Sequence, residues 1–366
     1  MADAAARWLP WMERAARIAG RGHGLVEPNP MVGCVIVAPD GTEIAEGYHR
    51  RLGGPHAEVE ALRRAGARAR GATAVVTLEP CNHHGRTGPC SAALREAGVA
   101  RVVYACADPH PQAAGGAAAL AAAGIEVLHL PCAAAERVTA PFLHRVRTGL
   151  PWVTVKWAQT LDGRIATRTG ASQWISGERS RAMVHRERGR VDAILTGIGT
   201  VIADDPLLTA RTPNPRRIPR RVVWDPRLEL PESGRLATTA REAPCIAACT
   251  PETLEARGER AAKLRALGVD VRAAQEPGAL LRELAGEGVS TVLVEAGGGL
   301  VGALLRARLV NELSVFVAPR LLGDDQARGP MRGGAPEQIA DGLDLELVDA
   351  RRRGDDMLLR YRVPPA

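Results

Sequence analysis

The stretch from Pro55 to Cys90 constrains this chain more than any other. It opens with Pro55-His56-Ala57-Glu58 and closes with Thr77-Leu78-Glu79-Pro80-Cys81-Asn82-His83-His84-Gly85-Arg86-Thr87-Gly88-Pro89-Cys90. His56 offers one imidazole and Cys81 and Cys90 two thiols as zinc ligands, with the Glu58 carboxylate two residues from the imidazole. Three protein ligands leave the fourth position of a tetrahedral zinc to water, the catalytic rather than the structural arrangement. His56 and Glu58 fall in the first turn of an expected helix, and Cys81 follows an expected strand. Cys90 begins a second helix, so the fold must gather several strand–loop–helix junctions around one ion.

Hydrophobic periodicity supplies such junctions. A helix is expected over 8–21, with Trp8, Met12, Ala15, Ala16 and Ala19 on one face, and Pro28-Asn29-Pro30 breaks it. Strands follow at 31–38 and 43–48 around an Asp40-Gly41 turn, then a helix from His56 to about 65 and a strand at 73–78. After the cysteine loop come a helix from about Cys90, strands at 99–106 and 125–130, and a helix at 112–123 between them. A helix from about Glu136 leads to Arg147-Thr148-Gly149-Leu150-Pro151, where the domain boundary is placed, giving domains 1–148 and 149–366.

The second half resumes the alternation. Strands are expected near 152–157, 192–196, 221–225, 245–249, 270–273, 290–295 and 312–317, and helices near 178–188, 253–266, 277–286 and 299–307. Apolar runs at 345–348 and 357–361 look like closing antiparallel strands. Repeated β-α-β alternation means sheets covered by helices, an α/β chain.

Composition narrows the partners. The chain has 366 residues and a net charge of +7, yet its arginines are scattered and only 3% of its residues are aromatic. Nucleic-acid binding shows a basic stripe or stacking aromatics. Neither is present, so a phosphorylated small molecule is the expected anionic partner, with no nucleic acid and no membrane. No apolar run is long enough to span a bilayer and the N-terminal stretch lacks a signal-peptide core, so a cytoplasmic protein is expected. Cys34, Cys106, Cys132, Cys245 and Cys249 are expected as small buried hydrophobes. Lysine occurs only at Lys156 and Lys263. Where Arg takes nearly every basic position, Lys156 inside the apolar run Val153-Thr154-Val155-Lys156-Trp157 suggests a chemical role; a snorkelling strand-end lysine is the plainer alternative.

His-x-Glu followed by Pro-Cys and a later Cys matches the zinc-deaminase signature, in which the Glu shuttles protons and is not a ligand. Here eight residues separate the cysteines, where nucleobase and nucleoside deaminases keep two. That spacing, with PNPMVGCVIV (28–37), AEGYH (45–49), PHAEVEAL (55–62) and TLEPCNHHGRTGPC (77–90), resembles the bifunctional riboflavin-biosynthesis deaminase–reductase family. KWAQTLDGRIA (156–166), SQWIS (172–176), TVIADDPLLTAR (200–211) and VEAGGGLVGALL (294–305) resemble its reductase motifs.

The resemblance implies a cytidine-deaminase-like three-layer α/β/α domain, a zinc-dependent pyrimidine deaminase, followed by a dihydrofolate-reductase-like α/β domain, an NADPH-dependent reductase. It implies deamination of 2,5-diamino-6-(5-phosphoribosylamino)pyrimidin-4-one, then reduction of the ribosyl group of 5-amino-6-(5-phosphoribosylamino)uracil to ribityl. His56, Cys81 and Cys90 hold zinc, Glu58 moves the proton and Asn29 contacts the pyrimidine; one of His83 and His84, His83 by preference, is expected to touch substrate, an exposed loop histidine being the plainer alternative. In the reductase, Ser172, Arg188, Leu208, Arg211 and Glu295 line the substrate, and Ala158, Trp174, Thr200, Asp204 and 297–303 line the cofactor. Lys156 orients the sugar or stabilises developing charge. Arg188 and Arg211 suit a phosphate, since guanidinium forks bind such oxygens bidentately; otherwise each is a surface charge. Asp204 alternatively caps the turn at Asp204-Asp205-Pro206.

Gly297-Gly298-Gly299-Leu300-Val301-Gly302, followed by Ala303, has glycine spacing suited to a pyrophosphate at a helix start. It lacks the acidic residue about 20 positions on that completes a Rossmann fingerprint. The chain departs from the family at Asp108-Pro109-His110-Pro111-Gln112-Ala113-Ala114-Gly115-Gly116-Ala117, where His110 replaces an Asn and a basic residue is missing. Asn82 and Gly88 replace a usual Ser and Pro. Two alternatives stand beside this reading: a nucleic-acid or nucleoside deaminase with an appended nucleotide-binding domain, and a non-catalytic zinc- and nucleotide-binding regulator. A dimer or tetramer is a further expectation.

Overall fold

The computed structural model describes residues 6–83, 88–334 and 336–364. The chain divides into two compact units, Met1–Leu150 and Pro151–Ala366. In the first unit the strands are β1 (Gly33–Val37), β2 (Glu43–Tyr48), β3 (Thr73–Leu78), β4 (Arg101–Cys106) and β5 (Glu126–His129). They form one sheet in the order β2-β1-β3-β4-β5. β1 is antiparallel to both β2 and β3, whereas β3, β4 and β5 run parallel.

The β-branched runs Gly33–Val37 and Thr73–Leu78 are buried along their whole length, as strands covered on both faces must be. The cover is helical. Leu9–Ala19 packs with Ala133–Thr148, and Ala57–Ala65 packs with Cys90–Glu96, which in turn meets Gly116–Ala122. Met12, Ile18, Ile36, Val75, Val103 and Leu120 centre the core, each such side chain contributing roughly 1.5–3 kcal/mol by leaving water.

Two of the boundaries that differ from expectation position the site. The helix expected from His56 begins at Ala57; His56 is its extended N-cap, with ψ 166. The helix expected over 112–123 begins only at Gly116. The chain before its start and its first turn are tied to Glu79, whose carboxylate accepts the backbone N–H groups of Asp108, Gly115 and Ala117. Those bonds compete with helical ones.

The second unit carries β6 (Trp152–Thr160), β7 (Ala193–Gly197), β8 (Arg220–Trp224), β9 (Cys245–Cys249), β10 (Asp270–Ala273), β11 (Thr291–Val294), β12 (Glu312–Ala318), β13 (Glu346–Arg353) and β14 (Asp356–Arg362). Their order is β10-β9-β8-β7-β11-β6-β12-β14-β13. The strands from β10 to β12 are parallel, and β14 and β13 close the sheet antiparallel. The helix expected at 253–266 is two helices, Pro251–Ala256 and Gly258–Ala266, broken at Arg257 with φ −115 and ψ 35. In such sheets ligands bind beyond the carboxyl ends of parallel strands. Thr200, Trp224 and Gly297 all follow or end such strands here.

Candidate active sites

In the first unit β3 delivers Cys81 just past its carboxyl end, and the helix beginning at Cys90 delivers the second thiol. The His56 Nδ1 lies 3.5 Å from the Cys81 Sγ and 3.3 Å from the Cys90 Sγ. All three ligand atoms fall within 4.8 Å of one another. Bond lengths of about 2.3 Å to sulfur and 2.0 Å to nitrogen put tetrahedral ligand atoms about 3.6 Å apart. The donor set therefore fits zinc in both chemistry and spacing.

Charge is arranged to match. Cys90 hydrogen-bonds to Cys81, which holds the Cys81 thiol down at about 4, with His56 assisting. The same bond pushes Cys90 up. The hydrogen bond to Cys81 raises the His56 imidazole in turn. Glu58, two residues beyond His56, is only 3% exposed. Burial pushes its carboxyl up to about 7, with the charge of Cys81 adding to the shift and His56 opposing it.

These groups open into a cavity of about 440 Å³ that His56, Glu58, Cys81, Asn29 and His83 line. His49 lines it too, a residue that carries no signal of its own in the sequence beyond its place in AEGYH (45–49). The His49 Nδ1 is 2.9 Å from the Pro55 carbonyl and its Nε2 is 3.5 Å from the Asn29 amide nitrogen. The ring therefore donates through Nδ1 and accepts from Asn29, which fixes the amide that faces the cavity. Burial lowers the His49 pKa, in keeping with a neutral ring. Glu79 is a second such group, within TLEPCNHHGRTGPC (77–90). Gly116 is required beside it, since a Cβ there would collide with the Pro80 carbonyl oxygen. His84 lies outside the described residues.

The second unit has a cavity of about 560 Å³ beyond the carboxyl ends of its parallel strands. Lys156, Ala158, Ser172, Thr200, Asp204 and Glu295 line it, as do Gly297, Gly298, Gly299, Leu300 and Ala303. Lys156 is half-buried, with its Nζ 5.7 Å from the centre of the Phe316 ring. Burial lowers the Lys156 pKa, with Glu295 opposing and Arg188 assisting. The Thr200 hydroxyl accepts the Gly297 N–H at 3.1 Å, joining the starts of two helices at the cavity wall. Asp204 lines the cavity, and burial raises its pKa. The turn beside it is held by Asp205 instead, which accepts the Arg235 N–H at 2.8 Å.

The glycine run divides by direction. A Cβ on Gly299 would meet nothing within 4 Å, so this residue leaves its side of the cavity open. A Cβ on Gly302 would collide with the Arg332 carbonyl oxygen, and one on Gly298 would sit 3.0 Å from the Gly329 carbonyl oxygen. Those two glycines admit the strap 329–332, which the Arg332 N–H pins to the Gly298 carbonyl at 2.9 Å. Val301 and Gly302 stand outside the lining. The cavity's size and its open glycine-rich wall fit a dinucleotide cofactor.

Four expected residues are also outside that lining. Trp174 is 58% exposed, with the Arg181 guanidinium 4.7 Å from its ring centre. Leu208 is buried with φ 52, and Arg211 is exposed. Arg188 grips Glu295 bidentately at 2.6 and 2.9 Å and also donates to the Thr209 carbonyl. Much of its fork is thus committed within the protein. Burial pushes Glu295 up, but the Arg188 charge and hydrogen bonds outweigh it and the net shift is downward.

Comparison with known proteins agrees in both halves. Residues 8–106 match the cytidine and deoxycytidylate deaminase zinc-binding region, and residues 151–359 match the RibD C-terminal domain. The riboflavin biosynthesis protein RibD of Escherichia coli (strain K12) is 43% identical over 364 residues, covering 95% of this chain and 97% of that protein. The protein of the same name from Actinobacillus pleuropneumoniae is 40% identical over 363 residues, covering 97% and 95%. Among solved structures, Acinetobacter baumannii RibD superposes with a TM-score of 0.83 at 40% identity, covering 99% of this chain and 100% of that one. A Thermotoga maritima diaminohydroxyphosphoribosylaminopyrimidine deaminase/5-amino-6-(5-phosphoribosylamino)uracil reductase gives 0.83 at 30% identity, covering 98% and 99%.

Proposed function

Because this chain belongs to the RibD family of bifunctional riboflavin-biosynthesis deaminase–reductases, we propose a division of labour among its own residues. Its activities are the hydrolytic deamination of 2,5-diamino-6-(5-phosphoribosylamino)pyrimidin-4-one and the NADPH-dependent reduction of the ribosyl group of the product. Zinc and NADPH are the cofactors.

In the deaminase, His56, Cys81 and Cys90 would hold the metal, and zinc bound there would supply a water made acidic enough to attack at neutral pH. Glu58, buried beside that site, would carry the proton between the attacking water and the departing amine, so that overall one water is consumed and one ammonia released. Asn29, fixed by His49, orients the pyrimidine, and His83 contacts the substrate. The observation that carries this reading is the convergence of three zinc donors within 4.8 Å on a cavity that also holds the buried Glu58.

In the reductase, NADPH held in this cavity would supply the hydride that reduces C1′ of the ring-opened sugar. Ala158, Thr200, Asp204, Gly297, Gly298, Gly299, Leu300 and Ala303 shape the cofactor wall. Lys156 faces the place where charge changes during reduction, and Ser172 and Glu295 approach the sugar from the same cavity. Arg188 serves first as the partner that keeps Glu295 ionised. Leu208 and Arg211 are assigned to substrate contacts around that pair. Activity of Glu58→Gln tests the deaminase assignment: loss of ammonia release with zinc retained supports it, and full activity would favour a non-catalytic regulator.

We also assign the chain to the cytoplasm and to a homo-oligomer without nucleic-acid partners. No helix among the described residues is long and apolar enough to cross a membrane, and the free thiols of all seven cysteines suit a reducing compartment. Exposed Leu345, Leu347 and Met357 on the closing strands or their approach support self-association. Light scattering during size exclusion measures it, and a monomer at micromolar concentration would refute it.

A further inference from the structure

β6 ends in the turn Thr160-Leu161-Asp162-Gly163-Arg164, whose acid lies outside the lining of the reductase cavity. The Gly163 N–H donates to the Thr160 carbonyl and the Thr160 N–H to the Arg164 carbonyl, and Gly163 takes the left-handed φ of 78 that closes the turn. Asp162 faces the chain that follows β12. Its Oδ1 accepts the Thr160 hydroxyl at 2.5 Å and its Oδ2 the Gly323 N–H at 2.8 Å. The Leu322 N–H reaches both oxygens, at 3.2 and 3.1 Å. The Thr160 hydroxyl, with the Gly323 N–H next in weight, holds the Asp162 carboxyl down to about 2. It is therefore ionised at neutral pH, and bonds to it are stronger than those between neutral backbone groups.

The chain that Asp162 holds is a strap, residues 320–332, running from the β6 turn to the glycine helix. Beside Asp162 the Leu161 N–H donates to the Arg320 carbonyl at 2.8 Å. Further along, the Ile165 N–H donates to the Arg328 carbonyl at 2.8 Å and the Arg328 N–H to the Ala166 carbonyl at 3.0 Å. The Arg164 guanidinium reaches the Ala327 carbonyl, and that of Arg320 reaches the Trp174 carbonyl, each at 3.2 Å. At the far end the Arg332 N–H is bonded to Gly298, and the Arg306 guanidinium donates to the Arg332 carbonyl at 2.9 Å. Ile165 and Ala166 from the β6 side and Arg328, Gly329 and Arg332 from the strap line the same cavity. The strap is thus pinned at both ends, by the glycine helix and by a charged acceptor.

We propose that Asp162 is a positioning residue of the reductase: it latches the strap 320–332 across the cavity and so keeps Arg328 and Arg332 in the cavity wall. The carboxylate lies outside the lining and acts through the strap. NADPH carries phosphates, the groups that guanidinium forks bind best. An unlatched strap withdraws two such forks, so the cofactor is held less tightly and leaves faster. The inference rests on the cofactor placement proposed above and names what keeps one wall of that site in place.

The test titrates NADPH into the zinc-loaded full chain by cofactor fluorescence and follows its release by stopped flow. Asp162→Ala should raise the NADPH Kd roughly tenfold, mostly through faster release. Trypsin should cut the variant faster than wild type at Arg320, Arg328 and Arg332, three exposed positions of the strap, with the sites mapped by mass spectrometry. Ammonia release, the work of the other unit, should be unchanged. Asp162→Asn, which keeps one acceptor oxygen, should recover part of the affinity, and it carries the test if the alanine variant does not fold. A Kd within about twofold of wild type in both variants would overturn the assignment. So would a raised Kd accompanied by faster cleavage throughout the second unit, which would make Asp162 a general structural residue. Wild-type protein that binds no NADPH would instead strike the cofactor placement itself and take this inference with it.

Discussion

Glu58 and Glu295 are carboxylates lining two cavities, the first buried and the second half-buried, and their surroundings push them in opposite directions. Glu58 has no ion pair among the described residues; burial leads, and its pKa rises to about 7. Glu295 is half-buried and burial pushes it up too, but the Arg188 guanidinium meets both of its oxygens and the net shift is downward. Burial alone therefore does not decide what a carboxylate can do. A group left near neutrality can pass protons, while one locked in a bidentate pair keeps its charge and orders what surrounds it.

The largest expected effect separates the two acids directly. Glu58→Gln should lower kcat for ammonia release roughly 10³-fold. It should leave zinc content, and NADPH oxidation with pre-deaminated substrate, unchanged. A kcat within tenfold of wild type would break the contrast. Arg188→Leu should destabilise the second unit by about 3–5 kcal/mol in urea unfolding, because it strands a buried charge. The sign of its pH dependence follows from the lowered folded pKa of Glu295. The stabilisation is present above the unfolded carboxyl value, about 4.3, and is lost as pH falls through the lower folded value. The gap in Tm between wild type and Arg188→Leu should therefore narrow in acid; a constant gap down to pH 3 would refute the ion-pair account.

Smaller effects sharpen the picture of the reductase cavity. Lys156→Met should cut kcat for NADPH oxidation roughly 10²-fold, a magnitude usual for removing one donor aimed at developing charge. Stability should not fall, since a desolvated ammonium is exchanged for an apolar side chain. An unaltered kcat would return Lys156 to a snorkelling role. Gly302→Ala should cost about 1–3 kcal/mol by forcing the strap 329–332 off the glycine helix. Gly299→Ala should leave stability within about 0.5 kcal/mol and weaken NADPH binding instead, as read by cofactor fluorescence. Equal stability losses in the two variants would show that the glycines are not divided as described.

The same contrast marks what was legible in the sequence. His56, Glu58, Cys81 and Cys90 stand in one stretch of chain, and ligand chemistry alone makes their meeting readable. Helices and strands were legible where apolar period and breakers agree, as at Trp152–Thr160 and Pro277–Gly286. The onset of the helix at Gly116 was not, because the Glu79 carboxylate that delays it stands 37 positions earlier, a difference of 116 and 79. Glycine spacing gave the right neighbourhood, but only packing shows that Gly298 and Gly302 face the strap while Gly299 faces the cavity. Arg188 suited a phosphate by type, and its commitment to Glu295, 107 residues away, is a tertiary fact. His49 was hidden for a simpler reason: a buried neutral histidine and a catalytic one look alike in sequence.

One experiment tests most directly the claim that two chemically independent sites share this chain. Purified protein is given the diaminopyrimidine substrate, with ammonia release and NADPH absorbance followed separately, with and without a zinc chelator. The account predicts ammonia release followed by NADPH loss, both abolished by chelation. Adding pre-deaminated substrate should restore NADPH loss in the chelated sample. Chelation that also stops reduction of the pre-deaminated substrate, or that leaves ammonia release intact, would contradict it.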